Sequence, residues 1–431
     1  MSKTFRIYPA VTLLMLVSLA INSSCSKDDS NNEDPVIEKK TDIGEQTDSS
    51  QVRVTLSHPY DSEVQAGSQE LAYPLFVQML NHEGGNKNFI VSPLSLSEAL
   101  GMLATGANGE TLDEITSVLG VPHLTPEQID SAFYNLNTHL LGADQQVRLS
   151  IANSQWFDEE FPVKESYKTA NSTFFDAETF VQDLQTTQTM HDINSWCDSK
   201  TNGRIEKILS EQLNGSVKVM LINALYFNAK WISPFNEQLT KKALFTAADG
   251  TQTEVDMMHQ QTYFGAVKRE KYDMMEMLYG NGLYTMDLIL PHEGETLSDC
   301  LAGFDKQAFD SDLQAMKTYN VTVAMPRMEL NYNTSLVPML NAMGMTEAFG
   351  DADFSNVSDK PLYVSDIKQF AYITIDEKGT EAAAVTAEDV ETSNIGEYED
   401  LDFLMNRPFT FIIREKNSGV ILFMGIVASF A

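Results

Sequence analysis

A segment near the C-terminus, from Tyr372 to Thr386, shows the alternation of side chains that is expected of a β-strand. Tyr372–Ile375 is typical of a strand, and its alternation continues beyond Gly379. There, one parity carries small, uncharged side chains, namely Thr380, Ala382, Ala384 and Thr386. Glu381 falls on the opposite face, because successive side chains of a strand point to opposite sides. The pattern predicts a strand that could enter the middle of a sheet.

The same stretch is also compatible with other conformations. It is rich in alanine, the residue with the highest helix propensity. Gly379 lies at its junction with the upstream strand, and a residue without Cβ absorbs a large backbone change at little steric cost. No proline interrupts the segment that follows. We therefore predict a segment that can change between loop and strand.

Residues 1–24 are predicted to direct export. Lys3 and Arg6 precede an apolar run over residues 11–21 that is too short to span a membrane. Followed by Cys25, this pattern resembles a bacterial lipoprotein signal, in which the cysteine is lipidated. An ordinary cleaved secretory signal and an uncleaved anchor are the alternatives.

Residues 25–62 are predicted to form a disordered acidic tether. The chain is polar and of low complexity over residues 26–50. Its beginning, Ser26–Asp29, resembles the acidic tag of lipoproteins that are sent to the outer face of the outer membrane. We expect an exported outer-membrane lipoprotein on the cell surface, anchored by lipid on Cys25.

Composition excludes some classes of function. The formal net charge of −32 argues against nucleic acid and anionic membrane surfaces as partners. The seven histidines are scattered singly, and none is paired at metal-ligand spacing. Common nucleophile, phosphate-binding and dinucleotide-binding motifs are missing from the sequence. We expect neither an enzyme nor a cofactor or metal site.

Short motifs follow one another from about residue 65 to the C-terminus. They are Asn88–Leu96 with Ala104–Ala107, Thr201–Ile205, Asn223–Trp231, Met325–Met328, Gly344–Phe349, Asn406–Phe409 and Leu422–Gly425. Together with the segment Asp376–Ala387, they resemble the serpin family in order and spacing. Each motif is weak by itself, but so many in sequence make chance a poor explanation.

The resemblance implies an α+β fold with three β-sheets, including a large central sheet A, and about eight to nine helices. It implies a single monomeric domain over residues 63–431, with an exposed reactive loop at about residues 377–402. The native sheet A of such a protein has five strands and a gap for a sixth.

The resemblance also implies a suicide mechanism. A target serine protease, or a papain-like cysteine protease, cleaves the loop, which then inserts into sheet A and traps the acyl-enzyme as a covalent 1:1 complex. Two other classes stay open. One is a non-inhibitory serpin that acts as a carrier, a chaperone or a plain substrate, and the other is a surface lipoprotein that only binds a partner.

The resemblance assigns the proximal hinge of the reactive loop. The hinge residues are Glu377, Gly379, Thr380, Glu381, Ala382, Ala383 and Ala384. Their inward parity is free of charge and bulk, which favours rapid insertion. The later inward residue Glu388 departs from this pattern, because burying an unpaired carboxylate costs several kcal/mol. A solvated position at the bottom edge of the sheet is the alternative for Glu388.

The reactive bond is predicted between Ser393 and Asn394, with Thr392 and Ile395 as neighbouring alternatives. Ser393 is the fourteenth residue after the hinge glycine, whereas a count back from Pro408 gives Glu397. A small residue at the bond favours elastase-like or subtilisin-like targets. No Lys or Arg lies between residues 381 and 405, which argues against trypsin-like targets, and the acidic loop leaves a glutamate-specific or cationic protease open.

Two supporting sites also follow from the resemblance. Ser92, Ser95 and Asn223 match the polar shutter cluster under sheet A, with Gln369 where the family usually has histidine. Trp231 matches the breach tryptophan at the point where the loop first enters. Cys197 and Cys300 are predicted as buried free thiols rather than as a disulfide.

Overall fold

The computed structural model describes residues 58–205, 207–380 and 398–430. Nine α-helices lie within these ranges, and none of them is long and apolar enough to cross a bilayer. They are α1 (Pro59–Glu83), α2 (Pro93–Gly106), α3 (Gly109–Val118), α4 (Pro126–Gly142), α5 (Glu165–Phe175), α6 (Thr187–Lys200), α7 (Leu297–Cys300), α8 (Lys306–Ala315) and α9 (Val337–Ala342).

The same ranges contain fifteen β-strands. They are β1 (Phe89–Val91), β2 (Arg148–Asp158), β3 (Glu178–Gln182), β4 (Val219–Lys230), β5 (Lys241–Thr246), β6 (Gln252–Lys268), β7 (Tyr272–Tyr279), β8 (Tyr284–Pro291), β9 (Lys317–Pro326), β10 (Met328–Ser335), β11 (Asp366–Asp376), β12 (Gly379–Thr380), β13 (Asp400–Leu404), β14 (Phe409–Glu415) and β15 (Ile421–Val427).

Local sequence explains where the helices begin. The side chain of Ser92 accepts a bond from the amide of Ser95 at the start of α2, directly before a proline. α1 begins at Pro59, after a capping box between His58 and Asp61. Residues 59–62 are therefore helical, and the predicted boundary between tether and domain at residue 63 was four residues too late.

The six-stranded sheet is the sheet A of the prediction. Its order is β10-β11-β12-β4-β2-β3, and β12 is only two residues long. Below β12, β11 and β4 pair directly and in parallel, from Asp366 opposite Met220 to Ala371 opposite Leu225. Five long strands thus form a sheet that is closed along its lower half and opened at its upper end by β12.

The remaining nine strands form one hydrogen-bonded network. Its order is β1-β15-β14-β8-β7-β6-β9-β13, with β5 paired to β6 as a branch. The predicted third sheet is continuous with the second because the long β6 runs through both. Its first residues pair with β5, residues 257–266 pair with β9, and its last residues pair with β7. The α+β fold class is confirmed.

β4 separates two apolar clusters. Its residues Leu221, Leu225 and Phe227 belong to the main core, which also includes side chains of α2 and α4. The alternate residues Met220 and Ile222 belong to a second cluster, with Ile193 of α6. Because successive residues of a strand point to opposite faces, sheet A is buried on both sides. A strand added to it would need small or apolar side chains at the positions that face the main core.

Candidate functional site

The first residues of the proximal hinge, Gly379 and Thr380, are already part of sheet A. β12 lies between β11 and β4, and Thr380 pairs with Ile375 on one side and Ala229 on the other. Thr380 and Glu377 are buried, with 0% and 3% of their surfaces exposed. The prediction of an exposed loop from residue 377 is therefore wrong for Glu377, Gly379 and Thr380, because backbone pairing on both sides of β12 holds the start of the hinge in the sheet.

Gly379 is required by the conformation of the turn into β12. Its φ of +148° is rarely adopted by residues with a side chain. A Cβ at this position would lie 2.1 Å from the carbonyl oxygen of Ala229. The turn is stabilised by Asp376, whose Oδ1 accepts bonds from the amides of Lys378 and Gly379. The predicted hinge glycine thus has a steric as well as a conformational role.

Thr380 has the inward orientation predicted for it. Its Oγ1 lies 2.6 Å from the phenolic oxygen of Tyr279, a fully buried residue of β7. The ring of Tyr279 is stacked on that of Trp231, with centroids 4.2 Å apart. The first inserted side chain therefore ends on an aromatic pair that belongs to both sheets.

Trp231 bonds to the hinge with its side chain and its backbone. The indole Nε1 donates to the carbonyl oxygen of Asp376 at 3.1 Å, and the backbone amide donates to the carbonyl of Lys378 at 2.9 Å. Phe235 adds a bond from its amide to the carbonyl of Glu377 at 2.8 Å. The structure thus places the predicted breach tryptophan directly against the turn between β11 and β12.

Glu377 forms an ion pair under the hinge. Arg327 Nε donates to Oε1 at 2.9 Å and to Oε2 at 2.8 Å, and Arg327 Nη2 donates to Oε1 at 2.6 Å. Thr240 donates its hydroxyl to the same carboxylate. Burial by itself would raise the pKa of Glu377, but the bonds from Arg327 and Thr240 outweigh it and hold the pKa below its usual value.

The predicted shutter residues lie together, but they form two separate connections. Gln369 of β11 lies directly opposite Asn223 of β4. Gln369 Oε1 accepts from the amide of Ser92 at 2.6 Å, and its Nε2 donates to the carbonyl of Ser92 at 2.7 Å. Gln369 is thus bonded to the start of α2, through the backbone rather than through the serine hydroxyls.

Asn223 has a different partner. Its Nδ2 donates at 2.6 Å to Oδ1 of Asn153, which lies opposite it on β2. Asn153 Nδ2 in turn donates at 2.6 Å to Oε2 of Glu98 in α2. Ser95 contributes its amide to the cap of α2, while its Oγ has no hydrogen-bond partner among the described residues. Glu98 and Asn153 were not identified from the sequence.

The distal end of the loop is also part of a sheet. β13 pairs in parallel with β9, and the amide of Asn320 bonds to the carbonyl of Glu399. The predicted loop boundary at residue 402 therefore lies inside a strand. Several predicted site residues fall outside the described ranges, and these are Cys25, Glu381, Ala382, Ala383, Ala384, Thr392, Ser393, Asn394 and Ile395.

The two remaining cysteines are free and buried, as predicted. Burial raises the pKa of the Cys300 thiol to about 11 and that of Cys197 still further. Since the thiolate is the nucleophilic form of cysteine, both thiols are unreactive at neutral pH.

Comparison with known proteins identifies the family. The profile described as Serpin (serine protease inhibitor) matches residues 66–430. A serpin-like protein of Methanosarcina acetivorans is 28% identical over 91% of this chain and 92% of its own length. Neuroserpin of Mus musculus is 30% identical over 81% and 89%, respectively.

Solved structures agree with this similarity. The native state of the thermophilic serpin tengpin is similar with a TM-score of 0.76 and 29% identity, over 85% of this chain and 94% of that one. The chain therefore belongs to the serpin family, whose members are in general protease inhibitors.

Proposed function

We propose that this protein inhibits serine proteases as a suicide substrate. A protease cleaves the reactive loop, the freed strand inserts between β11 and β4, and the acyl-enzyme is trapped before water releases it. The product is a covalent 1:1 complex. The chain has the role of inhibitor, since the acyl transfer uses the nucleophile of the protease.

The seated hinge is the observation that carries this proposal. β12 occupies the upper end of the space between β11 and β4, with Thr380 facing the core. Insertion can then proceed by extending existing pairs, so the first and least favourable pairing is already made. Beyond Thr380 the inward parity continues with Ala382, Ala384 and Thr386. Non-inhibitory relatives would have no need for such a run of small residues.

The target class follows from the residue at the predicted reactive bond. Ser393, next to Asn394, suits elastase-like or subtilisin-like serine proteases, which accept small side chains. Papain-like cysteine proteases are a further class, because a trap that distorts the active site mechanically does not depend on the nucleophile.

Incubation of the purified full chain with pancreatic elastase tests the proposal. We expect a complex that survives SDS and has the summed mass of the protease and the inhibitor without its C-terminal fragment. The cleaved inhibitor should also gain thermal stability, because insertion adds a strand to sheet A. Complete cleavage without complex or stabilisation would contradict inhibition and favour a non-inhibitory serpin or a surface binding protein.

Two hinge variants form a matched pair. Thr380→Arg places a charge at an inward position, and we expect it to turn the inhibitor into a substrate, which is cleaved without trapping. Glu381→Arg changes the neighbouring outward position, and we expect it to trap like the wild type. Equal trapping by both variants would contradict insertion with this parity.

We further propose that the protein is an outer-membrane lipoprotein exposed on the cell surface. Lys3, Arg6 and the apolar run of residues 11–21 before Cys25 support this location. A Cys25→Ser variant should lose labelling by a palmitate analogue and leave the membrane fraction. Surface exposure would be shown by removal of the protein from intact cells with added protease. Retention of the label by Cys25→Ser would contradict the assignment.

A further inference from the structure

Helix α2 is connected to both strands that must separate when sheet A opens. At its start, Gln369 of β11 makes two bonds to the backbone of Ser92. Further along the helix, Glu98 accepts a bond from Asn153 of β2, which in turn accepts one from Asn223 of β4. Gln369 and Asn223 are direct neighbours across the strand pair. If β4 moves away from β11, α2 cannot keep both connections.

The connection through Glu98 is the less well satisfied of the two. Glu98 is fully buried, and its Oε1 has no hydrogen-bond partner among the described residues. The same holds, within the described chain, for Oδ1 of Asn223 and Oδ1 of Asn137. Each of these atoms is an acceptor that lacks a donor. Buried polar atoms without partners are costly, and protonation would make the carboxyl group of Glu98 a donor as well as an acceptor.

The burial of Glu98 favours the protonated form of its carboxyl group. Burial raises its pKa to about 7, against the hydrogen bond from Asn153, which lowers it. In its neutral form the carboxyl group can donate from one oxygen while the other still accepts from Asn153. In its ionised form it is a buried charge without a cation.

We propose that Glu98 is a latch on sheet A, and that ionisation of its carboxyl group lets β4 separate from β11 more readily. In this role Glu98 is a positioning residue, since it acts on the strands through Asn153 and Asn223. Strand separation is also the step that loop insertion requires. The latch thus deepens the proposed inhibitory function, although it can be tested without a protease.

The sign of the effect follows from proton linkage. The closed sheet holds the proton on Glu98 up to about pH 7, whereas an opened, hydrated shutter lowers the pKa toward its usual value of 4.5. Between these values the closed form binds more protons than the open form. Raising the pH through this window therefore favours opening, with no further change once Glu98 is ionised in both forms.

Other ionisable groups near α2 have to be distinguished from Glu98. The faces of β2, β4 and β11 that carry Asn153, Asn223 and Gln369 hold no ionisable side chain. Asp130 of α4 bonds to Thr105 in α2, and burial raises its pKa to about 7 as well. The further ionisable groups on the packed helices are Tyr60, Asp61, Glu63, Glu70, Tyr73, His82 and Glu83 of α1, Glu110, Asp113 and Glu114 of α3, Glu127, Tyr134 and His139 of α4, and Glu165, Tyr167 and Lys168 of α5.

Hydrogen–deuterium exchange of the full chain tests the latch directly. The amides to follow are those of residues 220–225 and 366–371, which pair β4 with β11. We expect their protection, corrected for intrinsic exchange, to fall by about tenfold or more between about pH 5.5 and about pH 8, because the pKa of Glu98 differs by more than one unit between the closed and the open form. E98Q should keep the protection of the acidic wild type at both pH values, because its amide is neutral and can donate.

Three controls decide the outcome. D130N should show the same fall in protection with rising pH as the wild type. If the fall were absent in D130N, the effect would belong to Asp130. Q369A removes the bonds between α2 and β11, so that α2 can move with β4. In this variant the amides that pair β4 with β11 should have low protection at every pH. A fall that persists in E98Q overturns the proposal. Should E98Q not fold, a wild type without pH dependence overturns it as well, whether or not the protein traps proteases.

Discussion

The hydroxyl of Thr380 lies 2.6 Å from the phenolic oxygen of Tyr279 in the buried interior. This contact joins the second residue of β12 to a residue of the other sheet. The start of the hinge is therefore held by a side-chain bond as well as by its backbone pairs.

Removal of the phenolic oxygen should loosen the hinge. We expect Tyr279→Phe to cost about 1 kcal/mol, the net value of a typical hydrogen bond, and to speed amide exchange at residues 379–380 about fivefold. Tyr284→Phe is a matched control, because Tyr284 is equally buried and bonds to the carbonyl of Leu140, away from the hinge. It should lose similar stability without faster exchange at the hinge. Equal hinge exchange in both variants would show that the contact is unimportant.

A side chain at the hinge glycine should force β12 out of the sheet. Gly379→Ala places a Cβ 2.1 Å from the carbonyl oxygen of Ala229 at a φ of +148°, a strain of about 1–3 kcal/mol. We expect exchange at Thr380 to approach that of an unpaired amide. Gly142→Ala is the control, since no atom lies within 4 Å of the added Cβ there. Protection of Thr380 in Gly379→Ala would contradict the steric role.

The ion pair under the hinge predicts a dependence of stability on pH. Because the folded-state pKa of Glu377 is lowered, its contribution is present above the ordinary value of 4.5 and is lost as the pH falls below it. Arg327→Met should cost about 1–2 kcal/mol at neutral pH, less than for a fully buried pair, because the arginine side chain is 44% exposed.

Thermal unfolding at neutral and acidic pH measures this effect. The difference between wild type and Arg327→Met should shrink as Glu377 becomes protonated. Lys378→Met, which breaks the exposed pair with Glu237, should change little at any pH. A difference that stays constant in acid would mean that Glu377 is not the responsible group.

We expect Glu388 to lie in the core after the proposed insertion, on the basis of the register of β12. If its antiparallel pairing continues, Thr386 lies between Asn223 and Gln369, and Glu388 lies between Leu221 and Ile367. Both of the latter are buried, and β4 extends two residues further, to Val219. This position favours a buried rather than a solvated Glu388 in the inserted form.

Replacing this carboxylate should improve trapping. We expect Glu388→Ala to lower the number of inhibitor molecules consumed for each protease trapped, because the last part of insertion no longer buries a charge. Asp389→Ala changes the adjacent outward position and should leave the stoichiometry unchanged. An unchanged stoichiometry in Glu388→Ala would refute the effect.

The position of the reactive bond can be tested by changing its specificity. Ser393→Arg should create a trypsin inhibitor that forms an SDS-stable complex, with a released C-terminal fragment beginning at Asn394. Glu397→Arg should be cleaved by trypsin but trapped poorly, because the cleavage then lies four residues further from the hinge. Efficient trapping by Glu397→Arg alone would favour the count from Pro408.

Local motifs were sufficient to predict the fold class, and three of the residues that they singled out lie together at the upper end of sheet A. Gly379, Thr380 and Trp231 lie in short segments whose residue types are constrained by backbone geometry or by close packing. The start of α1 was missed although its capping box, His58 to Asp61, is a local signal.

Other contacts had no such signal. Arg327 and Glu377 are 50 residues apart, Glu98 and Asn153 are 55 apart, and Tyr279 and Thr380 are 101 apart. Only the folded chain brings these partners together. For the same reason, the sequence predicted one shutter cluster where the structure has two connections, since the bonds of Gln369 run to the backbone of Ser92.

The two residues of β12 also protect the chain against a shift in strand register during the proposed insertion. A slip of one residue during insertion would turn every side chain to the other face, and Glu381, Asp389 and Glu391 would then point into the main core. Gly379 and Thr380 are already paired with Lys230 and Ala229. In the proposed mechanism, the register of every later residue is therefore fixed before the protease cleaves the reactive bond. The proposed insertion thus begins in the correct register.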